Sequence, residues 1–152
     1  MESQPLEFLA MVHLIMLSLW GGVVVTEAVI EIYPFRMRDL HAATIRFHYW
    51  IDLVVELPLV LAVVASGSVL LYLTDPVTPL HYAKVGLGAA AIAINLYCIA
   101  VVVRRGRQLD LLGDDQTLWR ASRIVLACFA VGLLCAAGAA VLGFRFALER
   151  LG

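Results

Sequence analysis

The sequence predicts an all-α integral membrane protein of four transmembrane helices packed as an up-down antiparallel bundle. Three observations lead there: an apolar composition, four long apolar stretches, and short connections between them. The 152-residue chain is 62% hydrophobic and only 15% charged, with a mean hydropathy of +0.92. Soluble domains hold roughly 45–50% apolar and about 25% charged residues. A chain this short still exposes much of its surface after folding, so no core of its own absorbs that excess. A bilayer is the better solvent.

The stretches run from Phe8 to Ile32, Phe47 to Leu73, His81 to Val103 and Ile124 to Phe144. Each reaches the ~20 residues needed to cross the hydrocarbon layer. The first is expected to be a span and not a cleavable secretory segment. Glu2 and Glu7 precede it in place of a basic start, and no small-residue cleavage site comes before Glu27. Connections this short favour antiparallel neighbours within one domain covering residues 1–152.

Arginine sets the orientation. The first link, "YPFRMRDLHAATIR", carries Arg36, Arg38 and Arg46, and the third, "RRGRQLDLLGDDQTLWRASR", carries Arg104, Arg105, Arg107, Arg120 and Arg123. Neither "TDPVTP" nor the segment before the first span has a Lys or Arg. The positive-inside rule then puts both basic links in the cytoplasm and both termini outside it. A net charge of −1 speaks against a nucleic-acid partner and leaves the lipid bilayer as the expected surroundings.

Local punctuation is sparse. Asp39 is placed to cap a second helix starting at Leu40. Pro76 and Pro79 break the chain between spans two and three. Pro58, inside span two, is expected to remove a backbone hydrogen bond and kink the helix near Glu56. Gly86, Gly88, Gly132 and Gly138 allow close helix approach, and the small-residue faces of spans three and four are compatible with a homo-oligomer. Cys98, Cys128 and Cys135 all fall inside spans, where cysteine packs as a small apolar residue.

The most informative stretch is "FHYWIDLVVELP", which carries His48, Asp52 and Glu56 at four-residue steps. Such steps place side chains on one helix face. Span one ends with Glu27 and Glu31 at the same spacing. At 1.5 Å per residue, Glu31 and His48 match near the cytoplasmic edge, Glu27 and Asp52 lie about one turn deeper, and Glu56 is deeper again at the level of Asn95. His41 extends the face outward. A charge at mid-bilayer costs about 2.5–3.5 kcal/mol even on the lenient insertion scale, so something positive must answer these acids.

Three answers are open. A divalent transition metal (zinc, iron or manganese) suits carboxylates combined with imidazole. Glu27, Glu31, His48 and Asp52 are then the ligands, with Glu56 and Asn95 as supporting groups or ligands of another ion, and Arg123 balancing residual charge. Alternatively, Arg123, Arg120 and Arg46 tie the acids into a structural ion-pair cluster. Or stacked acids carry protons. Transport, storage and metal-dependent catalysis all remain open under the metal reading.

The outer half holds His13, followed by Trp20, Gly21 and Gly22, and then His81 and Lys84 at the start of span three. His ligands from two helices suit haem, and His13 with His81 suits copper. The plainer alternatives are an interfacial His81 and a snorkelling Lys84.

On these residues the chain resembles small bacterial four-helix membrane proteins, namely the copper-resistance D membrane domains and the oxygen-independent type of protoporphyrinogen oxidase. The resemblance covers spans one and three. It implies a bacterial inner-membrane location and, for the oxidase type, a haem- or porphyrin-linked oxidoreductase acting through His13 and Lys84. The acidic ladder lies outside that pattern, and "HYAK" carries one residue more between His and Lys than the oxidase motif.

Overall fold

The computed structural model describes residues 3–112 and 116–149. Among them the chain is all helix and turn. Helix α1 (Ser3–Ile32) is followed by two single 3₁₀ turns, Tyr33–Phe35 and Arg38–Leu40. Helix α2 (His41–Ile51) runs through one π turn, Asp52–Glu56, directly into α3 (Leu57–Tyr72). Helices α4 (Pro79–Leu112) and α5 (Gln116–Glu149) complete the chain. The α2–π–α3 rod counts as one span, so four helices are long and apolar enough to cross a membrane.

These four pack as a closed ring. α4 lies along α5, α1 packs on both α3 and α5, and α2 packs on α4. Contacts at the two ends establish the antiparallel order. The ends of α1 and α4 meet the starts of α2 and α5 through Glu31, Arg105, His48 and Ser122. At the other end, His13 near the start of α1 bonds Ser66 near the end of α3. The exposed arginines Arg36, Arg38, Arg46, Arg104, Arg107, Arg120 and Arg123 all fall on the first of these ends.

The bundle is inverted relative to a soluble protein. Its outside presents Leu14, Leu19, Trp50, Val54, Leu61, Leu134 and Val141. Its most deeply buried side chains include Arg105, His41, His48, Glu27, Glu31, Glu56 and Asp52. Apolar clusters bracket that polar layer. Trp20, Val24, Val60, Ala91, Cys98, Val102, Val125 and Phe129 form the larger one, and Ile45, Leu109 and Leu118 close the arginine-rich end.

Buried positions repeat at alternating steps of three and four. They read Trp20, Val24, Glu27, Glu31 on α1; Ala91, Asn95, Cys98, Val102, Arg105, Leu109 on α4; and Leu118, Ser122, Val125, Phe129 on α5. This is the seam pattern of helices packed at a shallow angle. The second span departs from it, with His48, Asp52, Glu56 and Val60 buried at three successive steps of four. One residue is thereby inserted into the seam, and the π turn absorbs it: Leu57 N–H bonds Asp52 C=O, five residues back. Pro58 supplies the cause. Its ring would clash with the carbonyl of Val54 in a regular α-helix, and the wider turn relieves that clash. The expected disturbance near Glu56 therefore takes the form of a π turn.

One sequence expectation needs correction. Asp39 does not cap α2; it lies in the preceding 3₁₀ turn, and the cap position is Leu40, with no side-chain bond. Helix α4 continues beyond the apolar stretch of span three, to Leu112. Arg, Gln and Leu favour helix, and the buried seam carries on through Arg105 and Leu109. Helix α5 likewise begins before the apolar stretch of span four, at Gln116, so most of the third link is helical.

Close approach of α2 and α4 depends on Gly106, where an added Cβ would lie 2.7 Å from the ring of Tyr49. Gly106→Ala is expected to lower stability by about 1–3 kcal/mol through overpacking. Gly88→Ala, with nothing within 4 Å, is expected to be neutral or stabilising. Thermal unfolding of the two variants in detergent provides the comparison.

Candidate metal centre

The polar layer is built from all four spans. Its fixed point is Arg105, fully buried, whose guanidinium forks onto Glu31: Nη1 donates to Oε1, and Nη2 donates to Oε2 at 3.0 Å. Nη1 also donates to Ser122 Oγ on α5 at 2.7 Å. Ser122 Oγ lies 3.1 Å from His41 Nε2, within hydrogen-bond distance. His41 in turn stacks on Trp119, ring centroids 3.9 Å apart. This network joins α1, α2, α4 and α5 at one level.

His48 stands next to it. Its Nδ1 lies 2.8 Å from Glu31 Oε2 and, since an ionised carboxylate only accepts, Nδ1 carries the proton. Arg105 Nη2 is 3.3 Å from the same ring nitrogen, held there by their common carboxylate. Phe129 stacks on the ring at 5.7 Å. The opposite nitrogen, Nε2, turns inward. It sits 3.3 Å from Asp52 Oδ1 and 3.8 Å from Glu27 Oε2, without hydrogen-bond geometry to either.

Glu27, His48 and Asp52 each offer one ligand atom within 4.8 Å of the others, and all three residues are buried. Both oxygens of Glu27, both of Asp52, and Nε2 of His48 have no hydrogen-bond partner. Asn95 Oδ1 is unpartnered as well. One turn deeper, Glu56 Oε1 accepts from Asn95 Nδ2 at 2.6 Å and from Trp20 Nε1 at 3.1 Å. Buried polar groups in folded proteins are almost always satisfied. This pocket holds six buried oxygen and nitrogen atoms of Glu27, His48, Asp52 and Asn95 with no hydrogen-bond partner among the described residues.

Of the five residues that the spacing proposed as ligands, three converge with unpartnered atoms. Glu31 faces Arg105 and the back of His48, and Glu56 faces Trp20 and Asn95. The charge-balancing role expected of Arg123 belongs to Arg105; Arg123 itself is exposed. Its helix face explains this, because Ser122, not Arg123, lies on the α5 seam. Arg46 is exposed too, donating to Asp110 at 2.8 Å. Such surface pairs are worth about 0–1 kcal/mol.

Arg105 escaped the sequence reading because it was assigned to a link. The signal was present: steps of three and four from Asn95 through Cys98 and Val102 arrive at Arg105.

The outer-half candidates separate. His13 is half-buried and bonded to Ser66 Oγ at 2.8 Å. Lys84 crosses Gly143 of α5, where an added Cβ would meet its Nζ at 3.2 Å. His81 serves its own helix end. Thr78 N–H donates to His81 Nδ1 at 3.2 Å and Thr78 Oγ1 lies 2.7 Å from the same nitrogen, just ahead of Pro79 at the first helical position.

No family model matches the chain, and no match is found among curated proteins or solved structures.

The Glu31–Arg105 pair yields a stability test. Arg105→Met strands a buried carboxylate and is expected to destabilise the bundle by about 3–5 kcal/mol. Removing both charges, in Glu31→Gln with Arg105→Met, is expected to recover most of that loss. Denaturant unfolding in detergent of both variants measures the difference.

Proposed function

We propose that the chain is a multi-pass membrane protein that binds a divalent transition metal within its bundle, through Glu27, His48 Nε2 and Asp52. The observation that carries this reading is the set of unpartnered, buried acceptor atoms of those three residues. Four buried carboxyl groups (Glu27, Glu31, Asp52, Glu56) face a single buried guanidinium. The Glu31–Arg105 pair accounts for one of them and leaves three. A divalent cation supplies two of the missing positive charges where they are needed.

The surroundings suit such an ion. One imidazole with two carboxylates is a donor set for zinc, iron or manganese. Glu31 behind His48 orients the ring and raises its basicity, the usual support for a metal-bound histidine. Three protein ligands leave a coordination position for water or another group, and this arrangement serves storage, transfer or catalysis alike. The apolar exterior and the run of exposed arginines at one end support insertion with that end in the cytoplasm, in a bacterial inner membrane.

A second reading rests on His13 and Lys84. The porphyrinogen-oxidase resemblance implies a functional role for both. A Soret band in detergent-purified protein is the result that supports this reading.

Chelator-free purification followed by elemental analysis tests the metal site. At least one divalent transition ion per chain is expected, and His48→Ala with Asp52→Ala is expected to abolish it. Added metal at a hundredfold excess over its Kd should stabilise the native chain by about 2.7 kcal/mol, read as a rise in Tm absent from the double variant. Metal content well below one ion per chain, or binding that survives the double substitution, ends this assignment.

A further inference from the structure

Past its apolar stretches the bundle carries a collar of helix. Helix α4 continues from Val103 to Leu112, and α5 begins at Gln116, ahead of Ile124. At 1.5 Å per residue each extension is roughly 12–14 Å long. The headgroup layer on one side of a bilayer is about 5–8 Å thick, so the collar is long enough to pass through it.

The collar and the link after α1 are rich in arginine and contain no lysine. Arg104 and Arg107 stand on α4, Arg120 and Arg123 on α5, and Arg36 and Arg38 on the link; all six are exposed. Among the described residues, none of these six guanidinium groups has a hydrogen-bond or ion-pair partner. Arg46 differs, because it donates to Asp110. Together these seven arginines outnumber the four aspartates of the same segments, Asp39, Asp110, Asp114 and Asp115, although the whole chain has a net charge of −1.

Depth and neighbours define the patch. The 2.7 Å bond between Arg105 and Ser122 sets α4 and α5 level here. Arg104 and Arg123 therefore form a tier at the edge of the apolar stretches, and Arg107 with Arg120 forms a second tier about 4.5 Å further out. Beside Arg36 and Arg38, the side chains of Tyr33, Phe35, Met37 and Leu40 are exposed. Such mixing suits the boundary between acyl chains and headgroups. A soluble polyanion would leave those apolar groups in water.

We propose that this collar binds the phosphates of anionic phospholipids, with Arg104 and Arg123 as its inner tier. The proposal rests on the membrane reading above and is independent of the metal. Guanidinium suits phosphate because its planar fork donates two parallel hydrogen bonds, where an ammonium acts as a point charge. Basic clusters next to a membrane span are drawn to anionic headgroups.

The test uses the full chain in detergent, stripped of lipid, with Tm read before and after lipid is added. Phosphatidylglycerol is expected to raise Tm. Phosphatidylcholine, whose choline cancels its phosphate charge, is expected to leave it nearly unchanged. Arg104→Gln with Arg123→Gln should remove most of the rise, whereas Arg46→Gln should keep most of it. Phospholipid retained by the native chain after mild extraction should be several-fold enriched in anionic species over the bulk membrane, and the double variant should lose that enrichment. Equal shifts with the two lipids, or a full shift in the double variant, overturn the proposal. An equal rise with inorganic phosphate alone also overturns it, because the collar would then hold a free anion. None of these results changes the metal count. A chain that dissolves as a monomer without detergent removes the membrane reading and the proposal with it.

Discussion

The buried pairing of Glu31 with Arg105 is the constraint around which the bundle is arranged. An isolated charge in a low-dielectric interior is unstable, and a one-sided loss of either partner is more damaging than absence of both. The guanidinium meets this demand with contacts to α1 and α5, and lies against the histidine of α2. Helix register at this level follows from it. A shift of any span by one residue would take a charged group from the pocket to the apolar outside, where nothing compensates it. Leucine-rich exteriors specify no register of their own, so the polar layer does.

With Glu31 occupied on both oxygens, its role becomes orientation. It holds the proton of His48 on Nδ1, and this turns Nε2 towards Glu27 and Asp52. One fixed pair thus organises the neighbouring pocket, in which the oxygens of Glu27 and Asp52 meet no hydrogen-bond donor among the described residues. The contrast between the two halves of the layer is informative. Beside Arg105 both oxygens of Glu31 are hydrogen-bonded; further along, both oxygens of Glu27 and of Asp52 have no hydrogen-bond partner. Ile45, Leu109 and Leu118 cover the layer at the arginine-rich end, and Trp20 with its apolar neighbours covers it from the other side. Exclusion of water strengthens every electrostatic contact between those covers.

The π turn connects backbone to chemistry. A regular seam alternates steps of three and four, and a run of four-residue steps drifts around an α-helix by ~40° each time. His48, Asp52, Glu56 and Val60 would leave a common face within two turns if the helix stayed regular. One wide turn, made necessary by Pro58, cancels the drift. Short π segments inside longer helices often mark functional positions, and here the segment begins and ends on two of the pocket's carboxylates.

Much of this was legible in the residues themselves. Composition and the lengths of four apolar stretches determined the helical class and the number of spans, because hydrocarbon thickness translates directly into residue count. Charge spacing determined which residues belong to the polar layer, because Glu27, Glu31, His48, Asp52 and Glu56 have no tolerable place elsewhere. Arginine distribution determined that Arg36, Arg46, Arg104 and Arg120 share one end. Tertiary structure alone decided how those groups divide: Arg105 rather than Arg123 as the buried cation, Glu31 and Glu56 as hydrogen-bonded groups, and Glu27, His48 and Asp52 as the unsatisfied set. The physical reason is that spacing along one helix fixes a face and a depth, whereas the partner of a side chain depends on the rotation of the neighbouring helix about its axis. That rotation is set by packing among all four spans at once.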